Sequence, residues 1–321
     1  MNWPEQVAII GAGYMGRGIA EVLALAGTEC VLADVSAERA ADGAAGLFSD
    51  AARHEEDGLI PAGSLAALRR RVRSAASVED AVARAEYVVE AVYEDGATKT
   101  DVLGRIERSV SPATVISTNT SAISVRALSQ ALDDRTRFLG AHWFNPPQFV
   151  PGVELIACQE TSVATINAVD TFLAQAGKWP ARVTDSPGFV GNRLQYALFQ
   201  EAAALVEEGI ADANTVDLIV RTTFGFRLPF FGPFAIADMA GLDVYRGAYR
   251  VLTESYPDRF QPPEMLGALV DQGRLGAKTG SGFVIRSADE AASLAARRDR
   301  QYVALARLVE STQDAGAATG N

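Results

Sequence analysis

The chain has 321 residues, 48% of them hydrophobic, and carries a net charge of −11 with only three lysines, Lys99, Lys178 and Lys278. This length and apolar content suit a globular protein with two domains and a sizeable core, and the acidic balance argues against a nucleic-acid or anionic-membrane surface. No apolar run reaches the roughly eighteen residues that span a bilayer, and Met1-Asn2-Trp3-Pro4 lacks the basic patch of a secretory signal. Cys30 and Cys158 each lie in an apolar, strand-like run, which predicts buried thiols, with no disulfide and no metal site. The expectation is a soluble cytoplasmic protein.

In chain order, Val7-Ala8-Ile9-Ile10 reads as a buried strand, then comes Gly11-Ala12-Gly13-Tyr14-Met15-Gly16, then a helical pattern to about Leu25. This is G-x-G-x-x-G between a strand and a helix. The first glycine permits the tight turn, the second lets backbone approach a pyrophosphate, and the third lets helix pack on strand. The helix N-terminus then offers unpaired N–H groups to phosphate. A second buried strand, Cys30 to Ala33, ends in Asp34, placed to bond both ribose hydroxyls of NAD and to repel the extra phosphate of NADP.

From Ser36 to about Val72 the pattern predicts an inserted pair of amphipathic helices broken near Gly58 to Gly63. His54 falls in the charged run Arg53-His54-Glu55-Glu56-Asp57, which reads as a solvated face. The basic cluster Arg69, Arg70, Arg71 and Arg73 reads either as a solvated face or as a contact for an anionic part of a substrate. Ser77-Val78-Glu79-Asp80 has capping-box character. Strands are expected over Tyr87 to Val92, Thr114 to Ser117, Phe138 to Ala141, Val153 to Ala157 and Ala181 to Val183, with Thr161 capping a helix that runs to Ala176.

Polar residues gather at the ends of these strands, where doubly wound sheets bind ligands. Glu94 and Lys99 follow the third main strand and are either a ligand-binding pair or a helix start. Thr118-Asn119-Thr120-Ser121 can cap a helix or hydrogen-bond a ligand. His142 emerges from its strand into Trp143-Phe144-Asn145-Pro146-Pro147, twelve residues before Glu154. Imidazole moves protons near neutral pH, and a carboxylate on its other nitrogen would fix the tautomer. That pairing requires neighbouring antiparallel strands, because Glu154 opens its strand. At Asp185-Ser186-Pro187-Gly188 strands give way to helices, so we expect an α/β domain over residues 1–185 and an all-α domain over 186–321, with a disordered Ala/Gly/Thr tail.

The stretches GAGYMG, VVEAVYEDGATK, STNTSAIS, HWFNPP with VELI, DSPGFVGNR and RLGAKTGSGF occur in order from Val7 to Val284. In them the chain resembles the L-3-hydroxyacyl-CoA dehydrogenases. The resemblance implies an NAD-dependent enzyme of fatty-acid metabolism with a Rossmann-like domain and a helical domain that forms a homodimer. It implies His142 as catalytic base, Glu154 as its partner, and Ser121 and Asn192 as the groups that hold the substrate oxygen. It implies a cofactor site made of Gly11, Gly13, Tyr14, Met15, Gly16, Asp34, Glu94, Lys99, Asn119 and Asn145. Where thioester enzymes carry lysines on the helical hairpin, this chain has His54-Glu55-Glu56-Asp57. Its longer segment from Phe224 to Pro233, which contains Arg227, resembles the branch of L-gulonate 3-dehydrogenase, lambda-crystallin and, more distantly, carnitine dehydrogenase, in which free hydroxy acids are the substrates. The expected substrate is a small 3-hydroxyacyl compound, with Arg227 or Arg69 meeting its anionic part. A free hydroxy acid is the alternative, and a non-catalytic NAD-binding protein the third reading.

Overall fold

The computed structural model describes residues 4–318. The start-of-chain and tail expectations fall partly on 1–3 and 319–321, outside the described residues. The chain divides into two compact units within one helix, between Leu198 and Phe199.

The first unit is built on an eight-stranded sheet. In order come β1 (Gln6–Ile10), α1 (Tyr14–Leu25), β2 (Glu29–Ala33), α2 (Ala37–Glu56), α3 (Ser64–Arg71), β3 (Val72–Ser74), α4 (Val78–Val82), β4 (Tyr87–Glu90) and α5 (Gly96–Ser109). Then follow β5 (Val115–Thr118), α6 (Val125–Ser129), β6 (Phe138–Trp143), β7 (Gly152–Ala157), α7 (Val163–Gln175), β8 (Trp179–Thr184) and α8 (Gly191–Glu207). The strand order is β3-β2-β1-β4-β5-β6-β7-β8. Every neighbouring pair is parallel except β6 and β7. The first six strands therefore have the 3-2-1-4-5-6 order of a dinucleotide-binding sheet, with its order reversing between β1 and β4.

Parallel strands covered on both faces read as continuous apolar runs because both sides are buried. In β1, Val7 and Ile9 join one core with Ile19 and Leu23 of α1, Leu47 of α2, Leu68 of α3 and Phe172 of α7. Ala8 and Ile10 join the opposite core with Val82 of α4, Leu103 of α5 and Leu128 of α6. Side chains capping helix N-termini set several of the starts: Ser36 accepts from Arg39 N, Ser77 from Asp80 N and Asp95 from Thr98 N.

Four local expectations change. The strand β3 was not foreseen, because Val72-Arg73-Ser74 is a three-residue edge piece with no apolar run. His142 lies inside β6 rather than beyond its end. Ser162, not Thr161, caps α7; the Thr161 hydroxyl donates to Phe138 O instead. His54 is buried, not solvated.

The second unit contains α9 (Ala213–Thr222), α10 (Pro233–Ala240), α11 (Leu242–Ser255), α12 (Glu264–Asp271) and α13 (Ala288–Ala318). Its core is small, built on Ala237, Leu242, Leu266 and Val270. The RLGAKTGSGF segment wraps the fully buried Asp238, whose carboxylate accepts from the amides of Phe283, Val284 and Ile285 at 2.8–2.9 Å. Glycine is needed at 282 because a Cβ there would lie 2.1 Å from Asp238 Oδ1. No helix among the described residues is long and apolar enough to cross a membrane.

Candidate active site

The carboxyl ends of β1, β2, β4, β5 and β6 share one edge of the sheet, and the reversed β7 begins there. Across the β6–β7 ladder His142 stands directly opposite Glu154, which is the antiparallel arrangement their pairing requires. His142 Nδ1 and Glu154 Oε2 are 2.8 Å apart. A carboxylate can only accept, so Nδ1 carries the proton and Nε2 keeps its lone pair for a substrate. The other carboxylate oxygen, Oε1, accepts from Val190 N at 3.0 Å and Gly191 N at 2.8 Å, at the start of α8. Burial alone would raise the Glu154 carboxyl, but the bonds from His142, Gly191 and Val190 outweigh it and hold the group below the ordinary carboxylate range.

Apolar rings enclose the imidazole. Phe144 lies 4.5 Å and Phe189 5.7 Å from it, centroid to centroid. Gly191 admits the Phe144 ring, since a Cβ would sit 2.5 Å from Phe144 Cζ. Phe189, itself buried, takes a left-handed φ of 48°, which costs energy for a bulky residue. This turn aims the Val190 and Gly191 amides at Glu154.

The remaining candidates form a second chain of bonds. Asn192 Nδ2 donates to Ser121 O at 3.0 Å. Glu94 Oε1 accepts from Thr120 Oγ1, the Ser121 amide, Ser121 Oγ and the Ala122 amide at 2.6–3.2 Å. Burial works against the Glu94 anion, but these donors and the nearby Lys99 charge keep its carboxyl below the ordinary range. Lys99 is completely buried, 2.8 Å from Glu90 Oε1 and 3.4 Å from Glu94 Oε2. It thus supports the floor of the site through Glu90, Glu94 and Val92 O rather than lining it. Asn119 Oδ1 accepts from Trp143 N at 2.8 Å, tying the end of β5 to the end of β6. Asn145 is exposed and precedes a cis bond to Pro146.

The glycine loop fits a dinucleotide. Gly11 has φ 107° and faces Ala91 O, and a Cβ on Gly16 would collide with Gly11 O at 1.8 Å. A Cβ on Gly13 meets nothing within 4 Å, so space is open there for phosphate, and no side chain caps the α1 N-terminus. Tyr14 is 51% exposed on the first turn, with Met15 half-buried beside it. Asp34 Oδ2 accepts from Ala12 N at 2.7 Å, joining the end of β2 to the loop. Among the described residues no cluster of three or more His, Cys, Asp or Glu is placed to hold a metal.

Arg69 is not brought to this site. Its guanidinium lies over the Phe48 ring at 5.2 Å, and the neighbouring Arg71 donates to Ala24 O in the last turn of α1, at the end of that helix away from the glycine loop. Arg227 belongs to the second unit and, with Ile236, Met239, Arg298 and Tyr302, lines a cavity of about 300 Å³.

Family models match both parts of the chain: the NAD-binding domain of 3-hydroxyacyl-CoA dehydrogenase over residues 6–186, and the C-terminal domain of the same enzyme over residues 188–286. The chain belongs to the 3-hydroxyacyl-CoA dehydrogenase family. It is 33% identical over 313 residues to 5-formyl-3-hydroxy-2-methylpyridine 4-carboxylate 5-dehydrogenase of Mesorhizobium japonicum, covering 96% of this chain and 99% of that one. The crystal structure of 3-hydroxyacyl-CoA dehydrogenase from Archaeoglobus fulgidus aligns with TM-score 0.77 and 32% identity over 95% of this chain and 99% of its own. That of (S)-3-hydroxybutyryl-CoA dehydrogenase from Ralstonia eutropha aligns with TM-score 0.66 and 34% identity over 88% and 99%. This family member is therefore an NAD-dependent oxidoreductase acting on a CH–OH group.

Sequence reasoning missed several groups of this candidate site. The Val190 and Gly191 amides and the Phe189 turn lie in the DSPGFVGNR motif, but backbone donors leave no mark in a residue pattern. Glu90 had a signal: an acid inside the apolar run Val88-Val89-Glu90-Ala91 needs a buried partner, and Lys99 supplies it.

Proposed function

We propose that this dehydrogenase interconverts the 3-hydroxyl and 3-keto forms of a short 3-hydroxyacyl compound, with His142 as the general base. NAD, when bound, accepts the hydride from the carbon bearing the hydroxyl. His142 Nε2 takes the hydroxyl proton, and Glu154 stabilises the resulting imidazolium through Nδ1. Asn192 has one amide hydrogen committed to Ser121 O and a second left for the substrate oxygen. The Ser121 hydroxyl donates to Glu94 in the free site, and its rotation turns the O–H towards the oxygen of a bound substrate. Gly11, Gly13 and Gly16 with the α1 N-terminus receive the pyrophosphate, Asp34 the ribose, and the Asn119 and Asn145 region the nicotinamide end. The His142–Glu154 pair, with one carboxylate oxygen on the imidazole and the other held by two amides, carries the reading.

We propose 185/186 as the boundary between the cofactor domain and the helical domain; the junction of the two matched family models, between residues 186 and 188, supports it. Exposed apolar residues on α8 support a homodimer, and two buried free thiols suit a reducing, cytoplasmic setting.

The test is a panel of short 3-hydroxyacyl-CoA esters, free 3-hydroxy acids and sugar acids, with NAD reduction followed spectroscopically. Turnover of none of these would overturn the assignment.

A second reading, a small free acid as substrate, has its own support. The Mesorhizobium japonicum relative, named for a pyridine carboxylate, matches this chain nearly end to end. Arg227 and Arg298 also supply paired cationic lining to one cavity, and a guanidinium can bind carboxylate bidentately. On this reading Arg227→Ala raises KM for a free acid about tenfold or more and leaves a CoA ester unaffected. Equal effects on both would return the substrate to the thioester class.

A further inference from the structure

The segment between β6 and β7 carries Asn145, and two buried charged groups outside the catalytic network grip it. From α1, the Glu21 carboxylate, 1% exposed, accepts from Gln148 Nε2 at 3.2 Å on one oxygen. Its other oxygen lies 3.2 Å from His54 Nδ1, in the last turn of α2. The His54 ring in turn meets the edge of Phe149 at 5.1 Å. From the residue before β8, the buried Lys178 ammonium donates to Pro147 O at 2.5 Å and Val150 O at 2.9 Å. Gly18 lets helix and segment touch, because a Cβ there would sit 2.4 Å from Pro147 Cγ and 2.7 Å from Gln148 Oε1.

A buried carboxylate is costly, and an apolar residue of similar size often packs as well or better. Glu21 sits on the inward face of α1 beside Ile19, Ala20 and Leu23, where the helix pattern asks for such a residue. What the acid adds is direction. One oxygen joins the helix whose N-terminus faces the open phosphate space to the segment that leaves the strand of the catalytic histidine, and the other fixes His54 of α2, whose ring meets Phe149 of that segment. Helix and segment are 127 residues apart in the chain at this contact.

We propose that Glu21, His54 and Gln148 form a positioning triad for hydride transfer, locking residues 144–150 onto α1 so that the phosphate end and the nicotinamide end of the cofactor site hold one register. The inference rests on the dehydrogenase reading above. Misplacement of reacting groups by about 1 Å can cost roughly 10²-fold in rate, so the triad is expected to act on turnover more than on affinity.

Wild type, Glu21→Gln, Glu21→Met, Gln148→Met and the double variant Glu21→Met/Gln148→Met are compared in steady-state NAD reduction, NAD affinity and hydrogen exchange. The exchange readout is the Phe149 and Val150 amides, which both bond Pro146 O. Glu21→Met and Gln148→Met should lower kcat about tenfold or more, with the NAD dissociation constant within about threefold of wild type and exchange at 149–150 accelerated. Glu21→Gln, whose amide can still accept from Gln148 and reach the His54 ring, should recover most of the rate. The double variant should be no slower than either single one, as expected for members of one unit. Wild-type kcat in both Met variants overturns the positioning role, as does a rate loss that Glu21→Gln shares and that follows melting temperature alone. A wild type that fails to reduce NAD with every compound of the panel overturns the dehydrogenase reading itself, and exchange at 149–150 then still decides whether the triad anchors the segment.

Discussion

On the proposed mechanism two side chains from adjacent strands, His142 and Glu154, divide the labour, and the division predicts distinct phenotypes. His142→Ala removes the proton acceptor and should lower kcat by about 10²–10⁴, while NAD affinity, measured by titration, stays near wild type. Loss of NAD binding would instead make the histidine structural. Glu154→Gln keeps the shape but not the charge that stabilises imidazolium, and should cost about two orders of magnitude. Glu154 also links stability to pH. Its carboxyl is held below its unfolded-state value, so its contribution is complete above the ordinary carboxylate range. That contribution is lost as pH falls through the ordinary value towards the depressed one. The melting temperature of wild type should therefore fall more steeply in that window than that of Glu154→Gln; parallel curves would refute the linkage. The contact between His142 and Glu154 was legible as a pairing because it asks only that their strands be antiparallel neighbours, and they are. His54 was misread for a physical reason. The run Arg53-His54-Glu55-Glu56-Asp57 looks like a water-facing turn, and the partner that buries its histidine, Glu21, is 33 residues away on another helix.

At the scale of elements, local pattern sufficed wherever burial on both faces or a capping side chain fixed the structure. It identified β1, β2, β4, β5 and α1. It failed for β3, which is held by register with Cys30, Val31 and Leu32 rather than by its own apolar residues. It slipped by one at α7, because Thr161 and Ser162 are both hydroxyl residues and only coordinates show which accepts from Thr165 N. The β2–α2 junction supplies a testable consequence. Asp34 closes β2 and takes the Ala12 and Val35 amides on its two oxygens, which leaves acceptor capacity for ribose hydroxyls and a negative charge facing any added phosphate. Asp34→Ser should therefore shift the NAD-to-NADP ratio of kcat/KM by about tenfold or more towards NADP. An unchanged ratio would locate cofactor selection elsewhere.

At the scale of the molecule, unpartnered apolar surface is the leading fact. The helix α8 has seventeen residues and none is buried. Leu194 is 58% exposed, Tyr196 64% and Phe199 69%. Leu218 and Ile219 of α9 and Val303 and Leu308 of α13 are exposed as well. Among the described residues of the compact unit that begins at Phe199 the buried core is small, the Ala237, Leu242, Leu266 and Val270 cluster with a few further side chains such as Phe231 and Ile236, little for a unit of that length. Helices this apolar are stabilised by burial, and roughly 800 Å² per partner is a usual area for a stable interface. On the homodimer reading proposed above, a second copy of the chain covers this surface with the same apolar patch. Light scattering on the wild-type protein should give twice the 34.0 kDa chain mass. Leu194→Asp combined with Phe199→Asp should return it to one chain mass and lower its melting temperature, since charge in a buried apolar interface has no partner. A wild type that runs as a monomer at micromolar concentration, or a double variant that remains dimeric, would leave α8 to some other role.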